Sequence, residues 1–301
     1  MSTGQNSKSK VIAALIIGLT TFGFAPILVR VAMDTSPFVL VSYRTVLAVV
    51  MLLPFWIIYG KKRQVWTINK ESLWVVLAGI CLGFHFTSWL ASLYYTSVAS
   101  SSVLVTTHPV MMILVERIWF KRRFNRTTWA GVFLAFSGSL ILGISDSQIS
   151  QPFADPLFGN TLAFIAAIIF VLYLLIGQEV RKNRNWIDYV FPVYFYAAIT
   201  TVVTALILGE NLLKISKIGL WAGVGLAFGP QLLGHGAMNY TVKYVSPTFL
   251  STLVLAEPLL ASVLAYFIFE EQPPTASIAG MVVILIGITL TWKKQAKPVS
   301  G

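Results

Sequence analysis

Residues 95–143 read YTSVASSSVLVTTHPVMMILVERIWFKRRFNRTTWAGVFLAFSGSLILG, and residues 244–292 read YVSPTFLSTLVLAEPLLASVLAYFIFEEQPPTASIAGMVVILIGITLTW. The two stretches align without a gap at an offset of 149 residues and share ten identities: Tyr95/Tyr244, Ser97/Ser246, Ser102/Ser251, Leu104/Leu253, Val105/Val254, Pro109/Pro258, Phe120/Phe269, Ala130/Ala279, Gly131/Gly280 and Gly138/Gly287. Leu and Val matches are expected between any two apolar helices. The paired prolines and glycines carry more weight, because each changes the backbone: Pro removes a hydrogen-bond donor, and Gly lets helices approach closely. An internal repeat of this kind fixes the unit in which the rest of the chain is read.

Around this pair the chain is 56% apolar and only 11% charged, against about 25% charged for soluble chains. A bilayer core needs about 20 apolar residues in a helix. Ten runs of that order stand at about 11–33, 38–59, 72–94, 98–120, 128–145, 156–177, 188–209, 218–241, 248–269 and 275–292. Five fall in each repeat. An odd number of spans forces the second copy into the membrane upside down. The loop between the last two runs of each copy agrees, being Lys121-Arg122-Arg123 in the first and Glu270-Glu271-Gln272 in the second. The expected fold is therefore an all-α membrane protein of ten transmembrane helices, built as two inverted five-helix repeats. Its parts are a first repeat over 1–145, an outer connecting loop over 146–156, a second repeat over 157–292 and a cytoplasmic tail over 293–301. Inverted repeats suit a secondary transporter, since one fold then opens to either side of a midplane site.

The net charge of +11 is explained by position and not by a nucleic-acid partner. With an inside N-terminus, 17 of the 22 basic residues fall in inner segments, only Lys214 and Lys217 in outer loops, and Arg30, Arg44 and Arg117 within spans. The positive-inside rule then places both termini in the cytoplasm. Cys81 is the one cysteine, so no intrachain disulfide forms. The first apolar run follows Lys8 and Lys10 but is too long for a signal peptide and lacks a small-residue cleavage site, so it is read as a retained span.

Ionisable and polar groups inside spans have to face a cavity or a partner. Glu257, before Pro258, lies near the middle of the ninth run, and its repeat equivalent His108, before Pro109, near the middle of the fourth. Both sit at the depth of an inverted-repeat site, and each proline frees a carbonyl one turn back. Glu257 is a candidate to bind an amine or a proton, and His108 to contact substrate or relay a proton. The competing reading for both is a structural hydrogen bond between packed helices. On the third run His85, Ser88, Trp89, Ser92 and Tyr95 share one face, and on the eighth Gln231, His235 and Asn239 follow at i, i+4 steps. These stripes line a cavity or pack between helices, and Trp89 and Tyr95 could offer cation–π surfaces to an organic solute. Gly219, Gly223, Gly225 and Gly229 read as close helix packing. Glu116 and Arg117, at the inner end of the fourth run, need nothing beyond lipid headgroups.

The stretch Phe84-His85-Phe86-Thr87-Ser88-Trp89 with Tyr94-Tyr95-Thr96-Ser97-Val98-Ala99-Ser100-Ser101, and Gly234-His235-Gly236-Ala237-Met238-Asn239-Tyr240 continuing through Lys243-Tyr244-Val245-Ser246-Pro247 to Glu257-Pro258 and Phe269-Glu270-Glu271, resembles EamA-type permeases of the drug/metabolite transporter (DMT) superfamily. The resemblance covers essentially the whole chain as two tandem units. It implies ten helices, a bacterial cytoplasmic (inner) membrane, export or exchange of small metabolites, and a central cavity formed chiefly by helices 1, 3, 4, 6, 8 and 9. It also gives the position of Arg44 an arginine without fixing its job, and gating or structural pairing is expected there; the backbone role of Pro109 and Pro258 follows from the repeat itself. The acidic residue usual after helix 4 is Arg122 here, a departure that removes the expected role from that position; Glu271 keeps it in the second unit.

No Gly-Lys-Ser/Thr phosphate loop, zinc-type spacing or nucleophile elbow occurs in the sequence, so neither an ATPase, a resident metal, another cofactor nor an enzyme is expected. Energy would come from an ion gradient, such as protons, or from the solute itself. The expected partners are a small-molecule substrate and the lipid bilayer, with amino acids or other amine-bearing solutes favoured by the aromatic and neutral-polar stripes. A passive channel or facilitator would share those stripes and is the alternative.

Overall fold

A computed structural model describes residues 2–60, 69–96, 98–147, 155–270 and 274–295. The basic loop Lys61-Lys62-Arg63, Ser97, most of the connecting segment 146–156, Glu271-Gln272 and the end of the tail lie outside the described residues. Among the described residues all regular structure is helical, the form in which a segment pairs its own backbone groups without help from water. The pieces make ten rods. These are α1 (Ser2–Val31), α2 (Pro37–Tyr59), α3 (Lys70–Tyr95), α4 (Val98–Val105 and His108–Ile118) and α5 (Arg126–Ser147). The second set is α6 (Pro156–Val180), α7 (Trp186–Ile207), α8 (Lys217–Leu226, a π-helical Ala227–His235 and Gly236–Thr241), α9 (Pro247–Val254 and Ala256–Phe269) and α10 (Thr275–Gln295).

Local chemistry sets where the rods begin. Asn69, Asp155, Ser216 and Ser246 each accept a bond from a backbone N–H three residues on, at 2.8, 3.0, 2.8 and 3.1 Å, which satisfies one of the helix's orphan donors. Pro37, Pro156 and Pro247 open α2, α6 and α9, where a missing N–H costs nothing. By length and composition six helices are able to cross a bilayer: Ser9–Val31, Pro37–Tyr59, Lys70–Tyr95, Pro156–Val180, Trp186–Ile207 and Pro247–Ile268.

The distribution of side chains is that of a protein in lipid. Ile16, Val50, Ile58, Leu73, Ile168, Val203 and Leu206 stand exposed on the rods, while Arg44, His108, Glu116, Asp188, Gln231 and Asn239 are buried. Soluble monomers rarely expose apolar surface on this scale.

The two halves repeat one another in backbone detail. The pieces Val98–Val105 and Pro247–Val254, whose helices both end before an X-Pro pair, coincide at the 149-residue offset. So do Lys121 (φ 52°) and Glu270 (φ 57°), two non-glycine residues in the left-handed region just beyond α4 and α9. Each such residue costs about 1–2 kcal/mol, so the coincidence marks one backbone design used twice. Packing obeys the same exchange: α3 lies on α6 as α8 lies on α1, α3 on α7 as α8 on α2, while α2 pairs with α7 and α5 with α10.

Equivalent rods run antiparallel. A methyl added at Gly131 would meet Gly287 O at 2.8 Å, and one at Gly138 would meet Gly280 O at 2.7 Å, so α5 and α10 cross in opposite directions about Ala135 and Ile284. In the α2–α7 pair, Thr45 bonds Thr201 across 2.7 Å and, further along, Trp56 stacks on Phe191 at 4.4 Å. Of the α8 glycines singled out in the sequence, Gly219, Gly223 and Gly225 serve the same close approach, and Gly229 does not. Gly223 faces Tyr43 of α2, and Gly225 faces Leu28 of α1.

One end of the bundle, called the terminal end, holds the start of α1, the end of α10 and the facing ends of α2 and α3, α4 and α5, α6 and α7, and α8 and α9. There Arg184 pairs with Glu71 at 2.7 Å. At the opposite, far end Tyr94 Oη donates to Thr35 O at 2.7 Å and Ser36 to Glu210 at 2.6 Å.

Candidate substrate cavity

The breaks in α4 and α9 meet at the centre of the molecule. Pro109 and Pro258 have no N–H to offer Val105 O and Val254 O, the carbonyls one turn back. Both valines line a central cavity of about 40 Å³ whose walls also come from α1, α2, α3, α6 and α8. A water needs about 10–15 Å³ on this scale, so the cavity has room for a few waters. An organic solute can occupy it only if the surrounding rods separate.

Three histidines are all the chain has, and His85, His108 and His235 all line this one cavity. Their rings group around Phe170: His85 and His108 each lie 4.9 Å from it and His235 lies 6.1 Å away, with Phe22 and Phe86 set edge-on to His235 at 4.9 and 4.8 Å. Nδ1 of His85 is held by Ala166 O at 2.9 Å, whereas Nδ1 of His108 and of His235 has no partner. Such unpaired buried nitrogens are uncommon in finished packing. The π-helical turn of α8 carries Pro230 and His235 into the same wall; π segments recur at functional sites.

Two opposite charges share the cavity. Arg44 is 1% exposed, its Nε donates to Gln231 Oε1 at 3.2 Å, and its guanidinium lies 3.8 Å over the Phe86 ring. Its Nη1 has no partner. Glu257 is half-buried and lines the cavity, and among the described residues no hydrogen bond or ion pair engages it. Arg44 and Glu257 therefore act on each other through the field and not through contact. In a site of low dielectric that field is strong.

Of the residues singled out in the sequence, His85, Trp89, His108, His235, Glu257 and Arg44 line the cavity. The others have different positions. Gln231 stands behind Arg44 as its acceptor, fully buried. Ser92 bonds Ser101 at 2.6 Å between α3 and α4, and Tyr95 packs edge-on against Phe158. Asn239 accepts from Tyr173 Oη at 2.8 Å, and its carbonyl accepts from Arg181 Nε at 2.9 Å. These last three tie helices together outside the cavity. Pro109 and Pro258 act through the breaks. The sequence reading passed over Phe22, Thr106 and Phe170, all lining residues; Phe22 and Phe170 are apolar residues in apolar helices and carry no signal of their own, and the Thr106 hydroxyl can be satisfied by its own helix, as by Ser102 O at 2.7 Å.

One expectation is overturned. Glu116 is not at a lipid surface: it is fully buried. One carboxylate oxygen accepts from Arg122, and the other accepts from the N–H of Thr248 at 3.2 Å and from its hydroxyl. Arg122 also donates to Gln178 at 3.1 Å. The arginine that departs from the pattern after helix 4 thus neutralises a carboxylate buried between the two halves. This tie holds His108–Ile118 against Pro247–Val254 at the terminal end. At the far end the other pieces diverge, Val98–Val105 lying on α5 and α6 and Ala256–Phe269 on α1.

Known proteins share this organisation. A solved crystal structure of another protein superposes with a TM-score of 0.76 at 17% identity, covering 95% of this chain and 99% of the other, which shows a common fold. An uncharacterized transporter of Archaeoglobus fulgidus (strain ATCC 49558 / DSM 4304 / JCM 9628 / NBRC 100126 / VC-16) is 23% identical over 97% of this chain and 99% of its own. The uncharacterized transporter YdfC of Bacillus subtilis (strain 168) is 24% identical over 72% of this chain and 70% of its own. An S-adenosylmethionine uptake transporter of Rickettsia bellii (strain RML369-C) is 24% identical over 81% and 79%. The model of the EamA-like transporter family matches residues 9–144 and again 157–293, so the chain, a multi-pass membrane protein, belongs to the EamA-like transporter family.

Proposed function

We propose that the protein is a secondary transporter that moves a small amine-bearing organic metabolite across a bacterial cytoplasmic membrane by alternating access, as an exporter or exchanger. All ten rods cross the bilayer in this reading, the two repeats in opposite orientations and the terminal end in the cytoplasm. Two features support that orientation. Equivalent rods run antiparallel, and the described basic residues Arg122, Arg123, Arg126, Arg181, Lys182, Arg184 and Lys243 gather at the terminal end.

The observation that carries the proposal is the central cavity at two equivalent helix breaks, with a buried polar tie between the halves at the terminal end. A channel needs a continuous path; a carrier needs a site that each end can close in turn. Glu257 supplies the anionic group for an amine or a proton, and the histidine and aromatic walls supply an apolar surround. The amine-bearing class also agrees with the Rickettsia relative, named for S-adenosylmethionine. Coupling to protons would run through Glu257, whose charge is uncompensated by contact.

Reconstitution into liposomes tests this. With an inside-acid or inside-alkaline gradient, the protein should accumulate an amine-bearing solute above equilibrium and show exchange stimulated by solute on the opposite side. Glu257→Gln should lower this flux at least tenfold and remove its dependence on the proton gradient. Flux that merely equilibrates would mark a channel, and undiminished transport in the Gln variant would remove Glu257 from the site.

A further inference from the structure

Where α2 ends and α7 begins, a groove of about 370 Å³ is lined by Phe55, Tyr59, Asn185, Trp186 and Ile187. It shares no residue with the central cavity, and its size is that of a small-molecule site. Phe55 and Tyr59 stand exposed on one wall. On the other, the Trp186 ring is fixed by its Nε1, which donates to Gly236 O at 2.8 Å. Between the same two helices Trp56 stacks on Phe191; it is only 9% exposed, yet its Nε1 has no partner. That nitrogen lies 2.8 Å from where a side chain at Gly60, next to Tyr59, would begin, a buried donor at the edge of the groove. Asn185, Trp186 and Ile187 are the N-cap and first two residues of α7. The first N–H groups of a helix have no partner within it and carry the positive end of its dipole, an arrangement that suits phosphate. The Asn185 side chain does not cap them. The acid of that first turn, Asp188, is fully buried and does not line the groove.

The other half of the molecule gives the comparison. At the 149-residue offset Asn185 corresponds to Ser36, the N-cap of α2. There the protein brings its own anion, because Ser36 Oγ donates to the Glu210 carboxylate at 2.6 Å. The equivalent of Glu210 is Lys61. Charge follows the same division. Within four sequence positions of the groove residues, over 51–63 and 181–191, stand six basic residues (Lys61, Lys62, Arg63, Arg181, Lys182 and Arg184) and one acid, the buried Asp188. The equivalent stretches, 200–212 and 32–42, hold no basic residue and two acids, Glu210 and Asp34.

We propose that the groove binds one anionic phospholipid of the leaflet at the terminal end, its phosphate at the start of α7 and its acyl chain against Phe55 and Ile187. Tyr59 and Trp186 then stand at headgroup level, where such amphipathic rings are favoured. The basic surroundings select a net negative headgroup over a zwitterionic one. The apolar wall selects a lipid over a free anion, which has nothing to lay on it. Since α2 and α7 belong to opposite halves, the bound lipid bridges the two repeats where no protein carboxylate does so.

The test uses the purified full chain in detergent with three probes: phosphatidylglycerol, phosphatidylcholine and inorganic phosphate. Binding is read by native mass spectrometry, and stability by thermal unfolding. The unaltered protein should retain one phosphatidylglycerol, held at least fivefold more tightly than phosphatidylcholine. Asn185→Asp gives the start of α7 the carboxylate that Glu210 gives the start of α2. It should abolish the preference for phosphatidylglycerol while leaving the unfolding temperature without lipid unchanged or higher. Tyr59→Ala, at an exposed position, should weaken phosphatidylglycerol at least threefold with lipid-free unfolding unchanged. A folded Asn185→Asp protein that keeps the full preference would overturn the site; should that variant not fold, Tyr59→Ala decides in the same way. Phosphatidylcholine held as tightly by the unaltered protein would reduce the groove to a lipid-coated surface. Inorganic phosphate that stabilises as much as phosphatidylglycerol would make it a free-anion site and overturn the lipid.

Discussion

The pieces of α4 and α9 at the terminal end and those at the far end are the same structure seen from opposite ends, yet among the described residues only the terminal pair is tied. At the terminal end Glu116 of α4 accepts from Thr248 of α9 and from Arg122. At the 149-residue offset the equivalents of Glu116 and Thr248 are Ala265 and Ala99, two residues with no side-chain donor or acceptor. The backbone is symmetric: equal breaks, equal left-handed turns, antiparallel partners. The polar chemistry is not. In the proposed carrier, two identical gates would give no preferred resting state; the tie at the terminal end, which has no counterpart among the described residues at the far end, would make closure there the resting state.

The largest expected effect comes from removing that tie. Thr248→Val deletes the hydroxyl donor and keeps the volume; Glu116→Gln keeps the shape and deletes the charge that Arg122 meets. A buried hydrogen bond to a charged group is worth about 1.5–3 kcal/mol, so either change should shift the resting balance toward opening at the terminal end by about tenfold or more. A cysteine placed at the fully buried Met112, in a Cys81→Ser background, would report this as faster labelling by an impermeant maleimide from the terminal side. The converse construction, Ala265→Glu with Ala99→Thr, should favour closure at the far end and slow transport. Labelling unchanged in both tie variants would mean that apolar packing, and not the tie, closes the terminal end.

The same asymmetry shows which features a sequence can carry. The repeat was legible because Pro109/Pro258 and Gly131/Gly280 are backbone requirements that survive divergence, and His108 and Glu257 were legible because ionisable groups inside apolar runs are expensive. Arg44 was legible as a residue in need of a reason, but its reason depends on Gln231 and Phe86, on two other helices. The tie was not legible at all: Thr248 lies 132 residues from Glu116, and a carboxylate near the end of an apolar run looks the same whether it meets lipid headgroups or another helix. The polar stripes on α3 and α8 were read as single faces. Ser92, Tyr95 and Asn239 fall outside the cavity because Ser101, Phe158 and Tyr173 on neighbouring helices engage them, and those partners are remote in sequence or on another face. Phe22 and Phe170 gave no sign, since helical position among apolar residues is decided only by packing.

A smaller effect should separate the α5–α10 crossing, where the repeats touch as equals, from the one open glycine position of the α1–α8 contact, Gly229. Gly138 would place an added methyl 2.7 Å from both Gly280 O and Ile284 N, whereas one at Gly229 would meet nothing nearer than Thr21 Cβ at 4.0 Å. Backbone atoms cannot rotate aside, so Gly138→Ala forces α5 and α10 apart at a cost of about 1–3 kcal/mol. Gly229→Ala should be neutral or slightly stabilising, because Ala is the better helix former by about 1 kcal/mol. Thermal unfolding in one detergent compares them directly. Equal shifts would mean that the crossing is not as tight as the antiparallel glycine contacts make it.

The smallest expected effect tests whether the two left-handed turns are equivalent in energy as well as in angle. Lys121 and Glu270 hold φ of 52° and 57° with side chains of opposite charge. Glycine adopts this region without the steric penalty of about 1–2 kcal/mol, but it also gives the unfolded chain more freedom, which takes back part of the gain. Lys121→Gly and Glu270→Gly should therefore each raise the unfolding temperature slightly and by similar amounts. If only Glu270→Gly stabilises, the basic side chain at Lys121 contributes at the membrane surface where the acidic one does not. That outcome would extend the asymmetry of the two halves from the gate to the loops, and it would fit a terminal end facing the anionic cytoplasmic leaflet, which attracts each nearby lysine by about 1 kcal/mol.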